Sequence, residues 1–210
     1  MSTRQIAYAA VLAALYVVIG QFVTPYLRNP MVPGAIIAIN MVVVVVAGIL
    51  FGPTAGALVG FVGTLINALF SETGSRAFEF GAVIPHTVMG LAAGLIARAN
   101  QPLGAFAIIV GHALNIAVFL AAGLLPLSQV AVAIFWGGLL VETIVDLVVI
   151  WILVAALRPL VLPTREEFTA ADGLRVILVE DRRVPFVTLR LVVRAGSVHD
   201  PANLPGLAAL

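Results

Sequence analysis

The 210-residue chain contains no cysteine and no lysine. Without cysteine there are no disulfides, no thiolate metal ligands and no thiol nucleophile. Without lysine there is no Walker A loop, whose Lys reaches the β and γ phosphates, so ATP hydrolysis by that route is excluded and any ATP-driven work falls to partners. Charge is scarce as well: Asp, Glu, Lys and Arg make up 10% of the residues, and the formal net charge is +1. Nucleic-acid binding needs a concentrated basic surface, which this balance does not supply. What fills the chain instead is apolar, with 62% hydrophobic residues and a mean hydropathy of +1.15. That is the composition of an integral membrane protein.

A helical span needs about 20 mostly apolar residues. Six stretches qualify, at 5–24, 33–51, 54–70, 78–97, 103–124 and 129–157, separated by short Pro-, Gly-, Asn- and Ser-containing breaks. The fold class expected is an all-α membrane protein, a six-transmembrane-helix bundle over 1–160 followed by a soluble tail over 161–210. Arg4, Arg98, Arg158 and Arg165 fall on one side and Arg28 and Arg76 on the other, which places both termini in the cytoplasm of a multi-pass protein of the cell inner (plasma) membrane.

Six polar side chains interrupt the apolar spans: Glu79, His86, His112, Asn115, Glu142 and Asp146. An unpaired polar group at membrane depth costs several kcal/mol, so each needs a partner or a ligand. Helical spacing puts Glu79 and His86 on one face of the fourth span, His112 and Asn115 on one face of the fifth, and Glu142 and Asp146 on one face of the sixth. With a rise of about 1.5 Å per residue, His86, His112, Asn115 and Glu142 fall roughly 12 to 21 Å below the outer surface, with Asp146 deeper. Glu79, His86, His112, Asn115 and Glu142 are therefore candidate contacts for a small molecule, whereas a lone His reads equally as a hydrogen-bonded packing residue. Asp146 fixes helix packing or the protonation of a neighbour. Asn40 and Asn67 read as interhelical hydrogen-bonders. Two His and two carboxylates can ligate a metal, but the His lie on different helices and no HExxH spacing exists. No metal, cofactor or catalytic residue is assigned, and the chain reads as a binding protein rather than an enzyme.

Small residues recur at four-residue spacing, as Ala9/Ala13 and Ala10/Ala14 in the first span, Gly52/Gly56/Gly60 in the third and Gly90/Gly94 in the fourth. Such stripes let helix backbones approach closely in lipid. The glycines read as packing within the bundle, and the alanines as either packing or a dock for another membrane subunit. After Pro163 the period becomes two: Leu174, Val176 and Leu178 share a face, and Val187, Leu189, Leu191 and Val193 follow the turn-like Asp181-Arg182-Arg183, a pattern that predicts a β-hairpin.

Residues 4–158 resemble the substrate-binding S components of energy-coupling factor (ECF) vitamin transporters. The resemblance rests on Arg4-Gln-Ile-Ala-Tyr-Ala-Ala-Val-Leu-Ala-Ala-Leu-Tyr, on Leu50-Phe-Gly-Pro-Thr-Ala-Gly-Ala-Leu-Val-Gly and on Ile84-Pro-His-Thr-Val-Met-Gly-Leu-Ala-Ala-Gly-Leu. It implies capture of a vitamin-like small molecule from outside, followed by docking on a transmembrane coupling protein driven by two ATPase subunits. It also implies that an Ala-x-x-x-Ala stripe on the first helix meets the coupling protein, which Ala9/Ala13 and Ala10/Ala14 both fit. The ligand would lie toward the outer side between helices four to six, and carboxylates with His suit a nitrogen heterocycle. The partners expected are thus the small molecule, the coupling protein with its ATPases, and membrane lipid, with no nucleic acid. The competing readings are another small membrane transporter or a membrane-anchored non-catalytic peptidase subunit. The last arises because the tail, through Gly173-Leu-Arg-Val-Ile-Leu-Val-Glu-Asp, Val187-Thr-Leu-Arg-Leu-Val-Val-Arg-Ala-Gly-Ser and Pro205-Gly-Leu-Ala-Ala-Leu, is similar to the incomplete start of a pitrilysin-like zinc peptidase domain. Ala209 stands where that family's first zinc-binding His would be, which implies a catalytically empty fragment.

Overall fold

The computed structural model describes residues 3–27, 37–136, 138–161, 164–171 and 173–180. Contacts divide the chain into two compact units, Met1–Leu162 and Pro163–Leu210.

The first unit is a helical bundle. Its elements are α1 (Thr3–Phe22), α2 (Met41–Phe51), α3 (Pro53–Leu58), α4 (Thr64–Phe70), α5 (Thr73–Ala99), α6 (Ala107–Ala121) and α7 (Leu139–Val161). A five-residue π-turn, Val59–Gly63, joins α3 to α4, so Pro53–Phe70 runs as one apolar crossing. Among the described residues, five stretches are long and apolar enough to cross a membrane: Gln5–Tyr26, Pro53–Phe70, Ser75–Ala99, Pro102–Ala121 and Leu139–Pro159. The protein is an all-α membrane protein, with a small two-stranded sheet beyond the bundle.

Two of the expected spans are built differently. In the described part of the span at 33–51, residues 37–51, helix begins at Met41, and α2, with 11 residues, covers about 16 Å, short of the roughly 30 Å hydrocarbon layer. Its residues Met41–Leu50 are all buried, which explains an apolar run with no polar face: it is surrounded by protein, not lipid. The span expected at 129–157 is broken. Gly138 has φ +87°, a left-handed conformation that only glycine adopts without strain, and α7 starts after it while Val132–Trp136 forms a separate π-turn.

Helix α5 is central, with α2, α3, α4 and α6 all packed on it. Glycine permits this. A Cβ at Gly56 would strike the Gly90 carbonyl, one at Gly90 the Gly56 carbonyl, one at Gly60 the His86 carbonyl, and one at Gly94 the backbone of Pro53. The glycine stripes therefore form an intramolecular seam, as their spacing predicts. Pro85 sits within α5 and interrupts its hydrogen-bond ladder one residue before His86.

In the second unit, β1 (Thr164–Thr169) pairs antiparallel with β2 (Arg175–Glu180), in the register Thr164↔Glu180 to Thr169↔Arg175. Gly173, at φ +86°, turns the chain between them, and Arg175 pairs with Glu167 across the strands. The expected strand around Val176 is present, but its described partner is 164–169. The run 187–193, with its turn at 181–183, lies outside the described residues.

Candidate functional site

The five candidate ligand contacts come from three helices and line one cavity. Glu79 and His86 project from α5, His112 and Asn115 from α6 and Glu142 from α7, and with Ala38 and Met41 they line a cavity of about 100 Å³. All five are buried. Apolar surface exceeds polar surface around the cavity. Phe78 and Phe119 meet edge to face with ring centroids 5.0 Å apart, and Ile116, Leu125 and Leu139 extend the apolar wall. A mostly apolar wall with a few convergent polar groups is the usual chemistry of small-molecule sites.

His86 is the junction of four helices. The Asn115 amide on α6 donates to Nε2 at 3.2 Å, which puts the ring proton on Nδ1, facing the Tyr16 hydroxyl of α1 at 2.9 Å and Thr64 Oγ1 of α4 at 3.0 Å. Both ring nitrogens are thus engaged by the protein. The packing reading of this histidine is the one its geometry expresses, and its effect on the cavity is to orient Asn115. The Asn115 carbonyl oxygen Oδ1 is left with no hydrogen bond, and Glu79 Oε2 is in the same condition. These are buried acceptors on the cavity wall, and a buried acceptor without a donor is costly.

On the opposite wall, Glu142 Oε1 accepts the Ala38 N–H at 2.6 Å, tying the segment before α2 to α7. Asp146, one turn further along α7, is fully buried and does not line the cavity, but its Oδ2 lies 3.6 Å from His112 Nε2. His112, Glu142 and Asp146 offer ligand atoms all within 4.8 Å of one another, a grouping that helix-by-helix spacing does not reveal.

Several lining residues escape a reading based on polarity. Phe119 lies four residues after Asn115 and Ala82 four before His86, so helical periodicity anchored on the polar residues could have found both. Tyr16 and Thr64, which reach His86 without lining the cavity, carry no such signal, because α1 and α4 supply none of the lining residues. Asn67 does join helices: Gln21 Nε2 of α1 donates to its Oδ1 at 2.6 Å and to its carbonyl oxygen at 3.2 Å. Asn40 is fully buried just ahead of α2. The side chain of Trp136 lies outside the described residues.

The two alanine registers of α1 separate cleanly. Ala9 and Ala13 are 1% and 6% exposed and, with Tyr16, face the bundle. Ala10 and Ala14 lie on the exposed side, near Ile6, Val11 and Val18. Ala9 and Ala13 are therefore spent on the chain's own packing, and only Ala10 and Ala14 are available to another molecule.

The chain's sequence matches a protein family described as the ECF-type riboflavin transporter S component, over residues 1–159. The match ends before the tail, so the tail's similarity to a peptidase domain rests on its sequence pattern alone. No curated protein and no solved structure matches the chain.

Proposed function

The chain belongs to the family of ECF-type riboflavin transporter S components, and from that premise we propose that it captures riboflavin, or a molecule with the same flat heterocycle, in the cavity between α2, α5, α6 and α7. S components are substrate-specific membrane subunits for vitamin uptake, not catalysts, and work with a transmembrane coupling protein and two ATPases. The absence of lysine fits that division of labour, since the energy source lies in other chains.

The observation that carries the riboflavin reading is the convergence of Glu79, Asn115, His112 and Glu142 on a cavity walled by Phe78 and Phe119. An isoalloxazine ring has a dimethylbenzene edge suited to an aromatic and aliphatic wall, and a pyrimidinedione edge with an N–H. The ribityl chain adds hydroxyl donors. Asn115 Oδ1 and Glu79 Oε2 are acceptors without donors, the complement of such groups. His86 acts as a positioning residue behind Asn115. On this reading Ala10 and Ala14 form the dock for the coupling protein, and the termini lie in the cytoplasm of a cell whose plasma membrane the bundle spans.

The test is direct, because flavin fluorescence is quenched on burial against aromatic rings. Detergent-purified protein titrated into riboflavin should quench it with one-to-one stoichiometry. Folded protein that neither quenches riboflavin nor co-purifies with a flavin would refute the proposal.

A further inference from the structure

At and just behind the cavity wall, two side chains, His112 and Asp146, lack the partners their burial demands. Asp146 is completely buried, and neither of its carboxylate oxygens has a hydrogen bond. Its neighbour, His112 Nε2, is 3.6 Å from Oδ2 and also without a hydrogen bond, while the His112 side chain is 8% exposed. Glu142 completes the group on the side nearer the cavity. Orphaned polar groups at this depth cost several kcal/mol each, so the arrangement is incomplete as it stands.

A proton on Asp146 does not complete it. The neighbouring His112 Nε2 is beyond hydrogen-bond distance at 3.6 Å, and the second carboxylate oxygen would still have no donor among the described residues. A divalent cation does. Two carboxylates balance its charge, and an imidazole nitrogen supplies a third ligand. A tetrahedron with metal–ligand bonds of about 2.0–2.2 Å has edges of roughly 3.3–3.6 Å, which the 3.6 Å His112–Asp146 separation matches, while the three ligand atoms together lie within 4.8 Å, so the Glu142 carboxylate closes on the ion by a side-chain rotation. The hydrogen bond from Ala38 to Glu142 Oε1 is the kind of outer contact that orients a ligating carboxylate. One nitrogen with two oxygens suits a late first-row metal rather than Mg²⁺ or Ca²⁺, which prefer all-oxygen shells.

We propose that His112, Glu142 and Asp146 bind one divalent transition-metal ion of the Zn²⁺ class at the wall of the capture cavity. Since His112 and Glu142 also line the cavity, the ion's remaining coordination position faces the space that holds the captured molecule. An oxygen or ring nitrogen of that molecule can complete the shell. The site stands on these three side chains and does not depend on the identity of the ligand.

The experiment uses the full chain, purified in detergent, stripped with a chelator and titrated with Co²⁺, whose visible bands report coordination number. One Co²⁺ per chain is expected, with a four- or five-coordinate spectrum and displacement by Zn²⁺. Binding should weaken at least tenfold in Asp146→Asn and in His112→Gln and be unchanged in Glu72→Gln, which alters an exposed carboxylate. No stoichiometric uptake by the wild-type chain, or a six-coordinate aqua-type spectrum, overturns the proposal without recourse to any variant. So does undiminished uptake in folded Asp146→Asn. Repeating the titration with riboflavin separates the two claims: Co²⁺ uptake without flavin binding supports the ion site and counts against riboflavin, whereas flavin binding without Co²⁺ uptake does the reverse.

Discussion

Replacing Tyr16 by Phe and Thr64 by Val, singly and together, tests whether His86 is held as the geometry implies. The Nδ1 proton faces two oxygens, at 2.9 and 3.0 Å, and needs only one acceptor. Each single change removes one oxygen and leaves the other in place, so it should cost about 0.6 kcal/mol, the average for a hydrogen bond between membrane helices. The double change strands a buried N–H, a penalty of about 1–3 kcal/mol beyond the single losses. The coupling energy of the cycle should therefore be about 1–3 kcal/mol, well above the roughly 0.3–0.5 kcal/mol within which independent sites add. Because the other ring nitrogen accepts the Asn115 amide, a reoriented ring also moves Asn115, and riboflavin affinity in the double variant should fall about tenfold, or about 1.4 kcal/mol. Unfolding in mixed micelles measures the stability cycle, and flavin quenching measures the affinity. A double variant equal to the sum of its singles in both would refute the account.

Ala10→Trp or Ala14→Trp should abolish ATP-dependent uptake in the assembled transporter and leave ligand binding by the isolated chain intact; lost binding would argue against a docking role. Ala9→Trp, at a position 1% exposed, should instead lower the melting temperature of the isolated chain, and an unchanged melting curve would refute the burial assigned to it. Glu142→Gln should weaken riboflavin binding by at least roughly tenfold, about 1.4 kcal/mol, and an unchanged dissociation constant in folded protein would remove Glu142 from the site. Gly90→Leu should prevent folding or cost several kcal/mol, because its Cβ meets the Gly56 carbonyl, and a variant that melts like wild type would refute the backbone contact.

The polar residues were legible in the sequence because their cost in a membrane is independent of fold, and helical spacing then put them on common faces. Glu79, His86, His112, Asn115 and Glu142 meet at one cavity for that reason. What spacing cannot supply is the identity of the facing side chain. Thus the engagement of both His86 nitrogens, through Tyr16 and Thr64 from helices otherwise apart from the cavity, was invisible. The alanine registers differ by one residue, which on a helix is a rotation of about 100°, and only the neighbouring helices decide which side is covered. The shortness of α2 was hidden because a valine run reads alike whether protein or lipid surrounds it. In the tail, Arg165-Glu166-Glu167-Phe168 does not alternate apolar with polar, so the strand that pairs with β2 gave no period-two signal.

The glycine seam also limits how the bundle can move. At Gly56 with Gly90 and at Gly60 with His86, where α3 and the π-turn lie against α5, main chain meets main chain with no room for a Cβ between them. Sliding motions between helices proceed through side-chain adjustments, so this half of the molecule moves as one body. Helices α6 and α7 border the cavity through His112, Asn115, Phe119 and Glu142, side chains with rotatable bonds. On the proposed capture in this cavity, entry and release draw their displacement from α6, α7 and the segment around Ala38, against a frame formed by α3 and α5 that stays fixed.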